Sequence, residues 1–231
     1  MARRHAIIDE ENLRIPEDAF TFEGFQRWID SGEFPETGRI DYLEGDVEVD
    51  MSPEDLYTHG TPKTAISSKL HILVAEAELG FVFSDSTRLK SRFAALSVEP
   101  DVVVVLSETL KAGKVRSSPA SRRKSPGRYS GLDGAADLVV EVVSDGSVKK
   151  DTKRLPPLYA RAGIPELWLV DARTEDLRFE IHTLHGGRYE TVRQDERGWV
   201  HSPRLQRFFR LVRRDLPDLD ACVYKLEDRE G

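Results

Sequence analysis

An α/β fold with a mixed β-sheet core flanked by helices is what this sequence predicts, on three observations. Leu138–Val143 (LVVEVV) and Leu167–Val170 (LWLV) are short apolar runs bounded by turn signals, the pattern of strands covered on both faces. Between them lie Ser144-Asp145-Gly146, a basic stretch and a short helical pattern that ends at Gly163, which is the strand–loop–helix–strand order of a βαβ unit. A third solid apolar run, Val102–Leu106, follows Glu99-Pro100-Asp101 and reads as another buried strand.

The remaining elements follow in order. Residues 1–20 are polar and expected to be loosely ordered. Phe20–Ile29 carries apolar residues at 22, 25, 28 and 29, a helical spacing with Thr21 as N-cap and Gly32 as the stop. In Arg39–Met51, Ile40, Tyr42, Val47, Val49 and Met51 alternate with polar residues around Glu44-Gly45-Asp46, which predicts an N-terminal hairpin. Apolar residues at 65, 66, 70, 73, 74 and 77 make Thr61–Leu79 the longest amphipathic helix, with His59 just before it and His71 inside it. Phe81–Arg92 reads as a strand or strand pair. Residues 111–128 hold seven Lys and Arg and no acid, among Ser, Pro and Gly, which predicts a mobile basic loop over 111–130. Leu177–Leu184 and Arg188–Arg193 form a C-terminal hairpin around Gly186-Gly187, and Trp199–Leu211 supplies a closing strand. The tail from Lys225 is polar, so a single domain with an ordered core at about 20–215 is expected.

Composition bounds the function. The 231 residues are 39% hydrophobic and 32% charged, as in a water-soluble globular domain, and no apolar run nears the roughly 20 residues that span a bilayer. The start MARRHAIIDEEN lacks the apolar segment of a signal peptide, so a cytoplasmic location and no membrane partner are expected. A single cysteine, Cys222, excludes an intrachain disulfide and a cysteine-based zinc site. The net charge of −7 argues against a general nucleic-acid binder.

Two carboxylates stand out. Glu141 interrupts a buried strand and Asp101 opens another, and a buried carboxylate costs several kcal/mol unless it is paired or binds a metal. If the two strands are neighbours, about 4.8 Å apart, Asp101 and Glu141 can share one hard divalent cation such as Mg²⁺ or Mn²⁺. Such an ion activates water and stabilises charge on a phosphoryl oxygen, and a nearby lysine would complete the set. Each acid also has a plainer reading, Asp101 as a turn residue and Glu141 as the partner of a buried base.

At these residues the chain resembles the PD-(D/E)xK nucleases, and more specifically the Uma2 family of putative restriction endonucleases. The resemblance runs through LEGDVEVDMSP, His59 at the head of the long helix, Pro100-Asp101 before a Val-rich strand, LVVEVVS, and YARAGIPELWLVDAR, over roughly residues 20–215. It implies a restriction-endonuclease-like fold, a metal-dependent endonuclease site acting on phosphodiester bonds in DNA, and a homodimer. Asp101 and Glu141 would be metal ligands and catalytic residues; by their own setting His59 reads as a helix-start residue or an outer support, and Asp46 as a turn residue or an outer support.

The pattern departs from the family at Val143, where the plain signature has its lysine, and at Leu155, where many relatives carry another. Lys150 is then the favoured catalytic lysine and Lys153 the second choice. Arg122, Arg123 and Lys124, in the basic loop, are the expected phosphate contacts. The alternative is a catalytically silent member of the same fold that binds nucleic acid or regulates, which the missing lysine and the acidic charge favour. Tyr159 and Trp168 sit at core spacing and read as packing residues.

Overall fold

The computed structural model describes residues 13–35, 37–119 and 128–231. Phe22–Asp30 (α1) starts where Thr21 Oγ1 accepts a 3.1 Å hydrogen bond from the Gly24 amide. It buries Phe25 and Trp28 against Ile40 and Tyr42 of the first hairpin. That hairpin pairs Arg39–Leu43 (β1) with Asp46–Asp50 (β2). Its turn residues Glu44 and Gly45 both have positive φ, 52° and 95°, as a two-residue hairpin turn with the right twist requires.

The long helix begins earlier and ends earlier than its periodicity suggests. Leu56–Gly60 is a π-helical turn, Thr61–Leu70 (α2) continues it, and His71–Glu76 is a second π-helical turn. His59 therefore lies within the helical rod.

The strands that follow are Gly80–Ser84 (β3), Arg88–Ser91 (β4), Leu96–Val98 (β5) and Val102–Leu106 (β6). After the short helix Ser107–Lys111 (α3) come Val115–Pro119 (β7), Tyr129–Gly134 (β8) and Leu138–Val142 (β9). A π-helical turn, Lys150–Arg154, leads into Leu155–Ala162 (α4). Gly163, at φ 81°, ends α4 in the left-handed conformation that glycine adopts without a Cβ clash. The chain closes with Glu166–Asp171 (β10), Arg178–His185 (β11), Arg188–Thr191 (β12), Val200–Ser202 (β13), Arg207–Leu216 (β14) and Ala221–Glu230 (β15).

Three sheets result. The central one has the order β12-β11-β10-β9-β6-β3, the second β2-β1-β5-β4-β8-β7, and the third β13-β14-β15. In the central sheet only β9 and β10 run parallel, joined by the α4 crossover, so the expected βαβ unit sits in an otherwise antiparallel sheet. Val102, Val104, Val140 and Trp168 face a core shared with α2 and the third sheet. Val103, Val105, Val139 and Leu167 face a core shared with α4 and the second sheet. Burial on both faces is the physical reason these strands read as unbroken apolar runs.

Three expectations are corrected. The stretch read as a basic loop over 111–130 contains β7 and the start of β8, which pair antiparallel, and Arg122, Arg123 and Lys124 lie outside the described residues. The polar tail is not outside the core: β15 pairs with β14 from Ala221 to Glu230, and Tyr224 and Leu226 are buried, so the fold runs on past residue 215. Phe81–Arg92 is two strands in two different sheets, because β3 joins the central sheet and β4 the second. Among the described residues no helix is long and apolar enough to cross a membrane, which says nothing of strand-built spans.

Candidate active site

The antiparallel register of β6 and β9 pairs Val102 with Val140. One residue further along, Asp101 comes opposite Glu141, on the face that carries Val103 and Val139. The two anomalous carboxylates are therefore neighbours on one face of one sheet, at 0% and 2% exposure.

The second sheet packs over that face and adds two residues from β1. Ile40 and Tyr42 point to α1, so Arg39 and Asp41 point the other way, toward the central sheet. Arg39 Nη2 donates to Asp101 Oδ1 at 2.8 Å. Asp101 Oδ2 accepts from the Val142 amide at 2.7 Å and lies 3.4 Å from His59 Nε2. Asp41 Oδ1 accepts from the Glu99 amide at 3.1 Å, and its Oδ2 is 3.0 Å from Lys150 Nζ. From α4, the Tyr159 hydroxyl donates to Glu141 Oε1. In the turn before α4, the Ser147 hydroxyl donates to Asp151 Oδ2, while Asp151 Oδ1 is buried without a hydrogen-bond partner.

The electrostatics follow from this crowding. Burial pushes Asp101 up, but His59, Arg39 and the Val142 amide outweigh it and hold the carboxyl well below its usual range. Glu141 goes the other way. Burial, then repulsion from Asp151 and Asp101, raises it well above the carboxylate range against the pull of Arg39 and Lys150. Burial pushes Asp151 up to about 6, opposed by the Ser147 hydrogen bond and Lys150. Burial disfavours the Lys150 ammonium, but Asp41, Glu141 and Asp151 together outweigh burial and Arg39, so it stays charged. Fully ionised, the four buried carboxylates (Asp41, Asp101, Glu141, Asp151) would carry two more negative charges than Arg39 and Lys150 cancel, and the raised pKa values of Glu141 and Asp151 relieve that excess by favouring the neutral acid.

Of the residues singled out from sequence, Asp101, Glu141, His59 and Lys150 converge here. Lys153 does not; it is exposed, on the other side of the π-helical turn from Lys150. Asp46 stays on the exposed hairpin turn, 3.0 Å from Arg154 Nη2, outside the buried group. Arg39, Asp41 and Asp151 were not legible as site residues, because alternation in β1 marks their face as polar without saying that another sheet covers it. Tyr159 is the core residue its spacing suggests, and it also holds Glu141.

Two clefts open beside this group with Arg39 in both walls. One, of about 500 Å³, is lined by Asp41, Asp50, Lys149, Lys150 and Arg154. The other, of about 440 Å³, is lined by Glu54, His59, Lys63 and Asp85. Among the described residues no three His, Cys, Asp or Glu side chains are grouped as a metal cage. The donor set instead suits an ion that takes one or two carboxylates and keeps its waters, the habit of Mg²⁺. The repulsion that Glu141 feels from Asp151 and Asp101, which a cation would relieve, and the orphaned Asp151 Oδ1 fit such an ion.

A crystal structure described as a putative nuclease belonging to DUF820, from Anabaena variabilis ATCC 29413, shares this fold. It superposes with a TM-score of 0.58 at 18% identity, over 80% of this chain and 90% of that one. No curated protein matches the chain. The family model described as "Putative restriction endonuclease" matches residues 22–211, which span α1 to β14 and every residue of the buried carboxylate group. By that match over most of its length, the chain belongs to the Uma2 family.

Proposed function

We propose that the chain is a metal-dependent endonuclease that hydrolyses phosphodiester bonds in DNA. The observation that carries this reading is the pairing of Asp101 with Glu141 across β6 and β9, with Lys150 held at the same group by Asp41. Asp101 and Glu141 would hold a Mg²⁺ or Mn²⁺ ion, which when bound supplies Lewis-acid stabilisation of phosphoryl charge. Asp41 fixes the Lys150 ammonium beside the carboxylates, where it can balance charge that develops on the phosphate. Tyr159 holds the Glu141 carboxyl in place from α4. Lys149, exposed at the rim of one cleft, suits a contact to a backbone phosphate, whereas Lys63 and Arg154 are each held by two acids.

The test is cleavage of supercoiled plasmid, with single-stranded RNA as the competing substrate, in Mg²⁺ or Mn²⁺ and in EDTA. Wild type should nick DNA only with the metal, and Asp101→Ala and Glu141→Gln should not. Cleavage that persists in Glu141→Gln would remove the carboxylate pair from the reaction. The ion pair between Arg39 and Asp101 and the valine at 143 favour a second reading, a silent binding module. Its signature would be metal-independent DNA binding without cleavage by wild type.

A further inference from the structure

Arg39 has a role to explain, because it sits on the carboxylate that the hydrolytic reading gives to a metal. The two oxygens of Asp101 are not equivalent. Oδ2 is held by the Val142 amide, a backbone group at the end of β9, and by His59 within the α2 rod. Oδ1 is held by Arg39 Nη2, the tip of a long side chain. Oδ1 is thus the oxygen whose partner can change. Arg39 is also the more accessible of the pair, with its side chain 25% exposed against 1% for Asp101, and it lines both clefts.

We propose that Arg39 is an exchangeable counter-ion: it and a divalent cation are alternative partners of Asp101, and a phosphodiester in the cleft is the alternative partner of Arg39. The inference rests on the metal-dependent reading above and adds a coupling between its two ligands. A guanidinium and a divalent cation on one buried carboxylate pair repel each other, so each weakens the other's hold. Asp41 and Glu141 also attract Arg39, which strengthens its grip on the site. A phosphodiester oxyanion offers the guanidinium fork an equivalent partner in the cleft. Once Arg39 turns to the phosphate, Oδ1 is free for the cation. Metal and nucleic acid then bind cooperatively, and linkage makes the effect reciprocal.

Calorimetric titration of Ca²⁺, an oxygen-seeking cation, with and without a short DNA duplex tests this. In wild type the duplex should tighten Ca²⁺ binding on the order of tenfold. In Arg39→Gln, Ca²⁺ should bind tighter than in wild type without DNA, by a comparable factor, and the duplex should add little. Arg39→Gln binding Ca²⁺ no tighter than wild type without DNA would overturn the exchange. Lack of Ca²⁺ and Mg²⁺ binding in both proteins would overturn the metal reading and the exchange together. If the variant does not fold, the Arg39 Nε–H resonance of wild type serves instead. It should move as Ca²⁺ saturates the site, and an unmoved resonance with the ion bound would reject the proposal.

Discussion

The Tyr159 hydroxyl donates to Glu141, while the repulsion Glu141 feels from Asp151 and Asp101 outweighs the attraction of Arg39 and Lys150. Glutamine at this position keeps the acceptor for Tyr159 and removes the charge. In EDTA, Glu141→Gln should be as stable as wild type or more stable, by about 0.5–2 kcal/mol near neutral pH. The sign of the pH dependence follows from the raised pKa. The neutral carboxyl's contribution is complete below the ordinary glutamate value of about 4.3 and fades as pH rises toward the folded value. The gap between variant and wild type should therefore be absent in acid and open with rising pH, which urea melts across that range will show. A loss of about 3–5 kcal/mol in the variant would instead identify Glu141 as the structural partner of a buried base. Added Mg²⁺ should stabilise wild type by binding linkage and do little for the variant.

Lys150 and Lys153 separate just as cleanly. Lys150 Nζ is 3.0 Å from Asp41 in the buried group, and Lys153 is exposed. Lys150→Ala should lower turnover by about 10²–10³ with little change in metal affinity. Lys153→Ala should leave single-turnover rates unchanged, and the reverse result would move the role to Lys153.

Among the elements, β15 is the one whose polar sequence most understates its part in the fold. Its ten residues pair with β14 along their length, Tyr224 and Leu226 reach the core, and Asp228 Oδ1 lies 2.5 Å from Lys69 Nζ on α2. Burying one large apolar side chain contributes about 1.5–3 kcal/mol, and a domain's whole stability is about 5–15 kcal/mol. Deleting residues 221–231 should therefore abolish cooperative unfolding or lower the melting temperature severely, as circular dichroism would record. It would also unseat α2, which carries Lys63 and follows the turn bearing His59. A truncated protein that melts like wild type would show that β14 and α2 need no third layer.

At the scale of the whole molecule, a net charge of −7 must be reconciled with the polyanionic substrate proposed above. Positive charge is concentrated locally in residues 120–128, which hold four basic residues and no acid, whereas the clefts mix basic and acidic side chains. Replacing Arg122, Arg123 and Lys124 by serine should weaken DNA binding and flatten the slope of log affinity against log salt by about 1–3 units, since each lost phosphate contact releases fewer counterions. Turnover at saturating DNA should change little. An unchanged salt slope would mean that these residues do not touch the phosphates.

Sequence alone determined the buried strands, their βαβ connection, the hairpin turns and the two carboxylates that break the rule against buried charge. Those features are local: apolar runs, glycines at positive φ and a misplaced acid are written in consecutive residues. The tertiary structure decided the rest of the site. Alternation divides β1 into two faces, but only the packing of the second sheet on the central one turns the face of Arg39 and Asp41 inward. The same packing leaves Asp46 on the exposed turn. Two lysines three residues apart cannot be ranked by spacing in a turn of unknown pitch; the wide π-helical turn aims Lys150 at Asp41 and leaves Lys153 in water. The polar tail became a core strand because β14, its hairpin partner, offered it a free edge and α2, more than 150 residues earlier in the chain, covered its apolar side, which its own residues do not show.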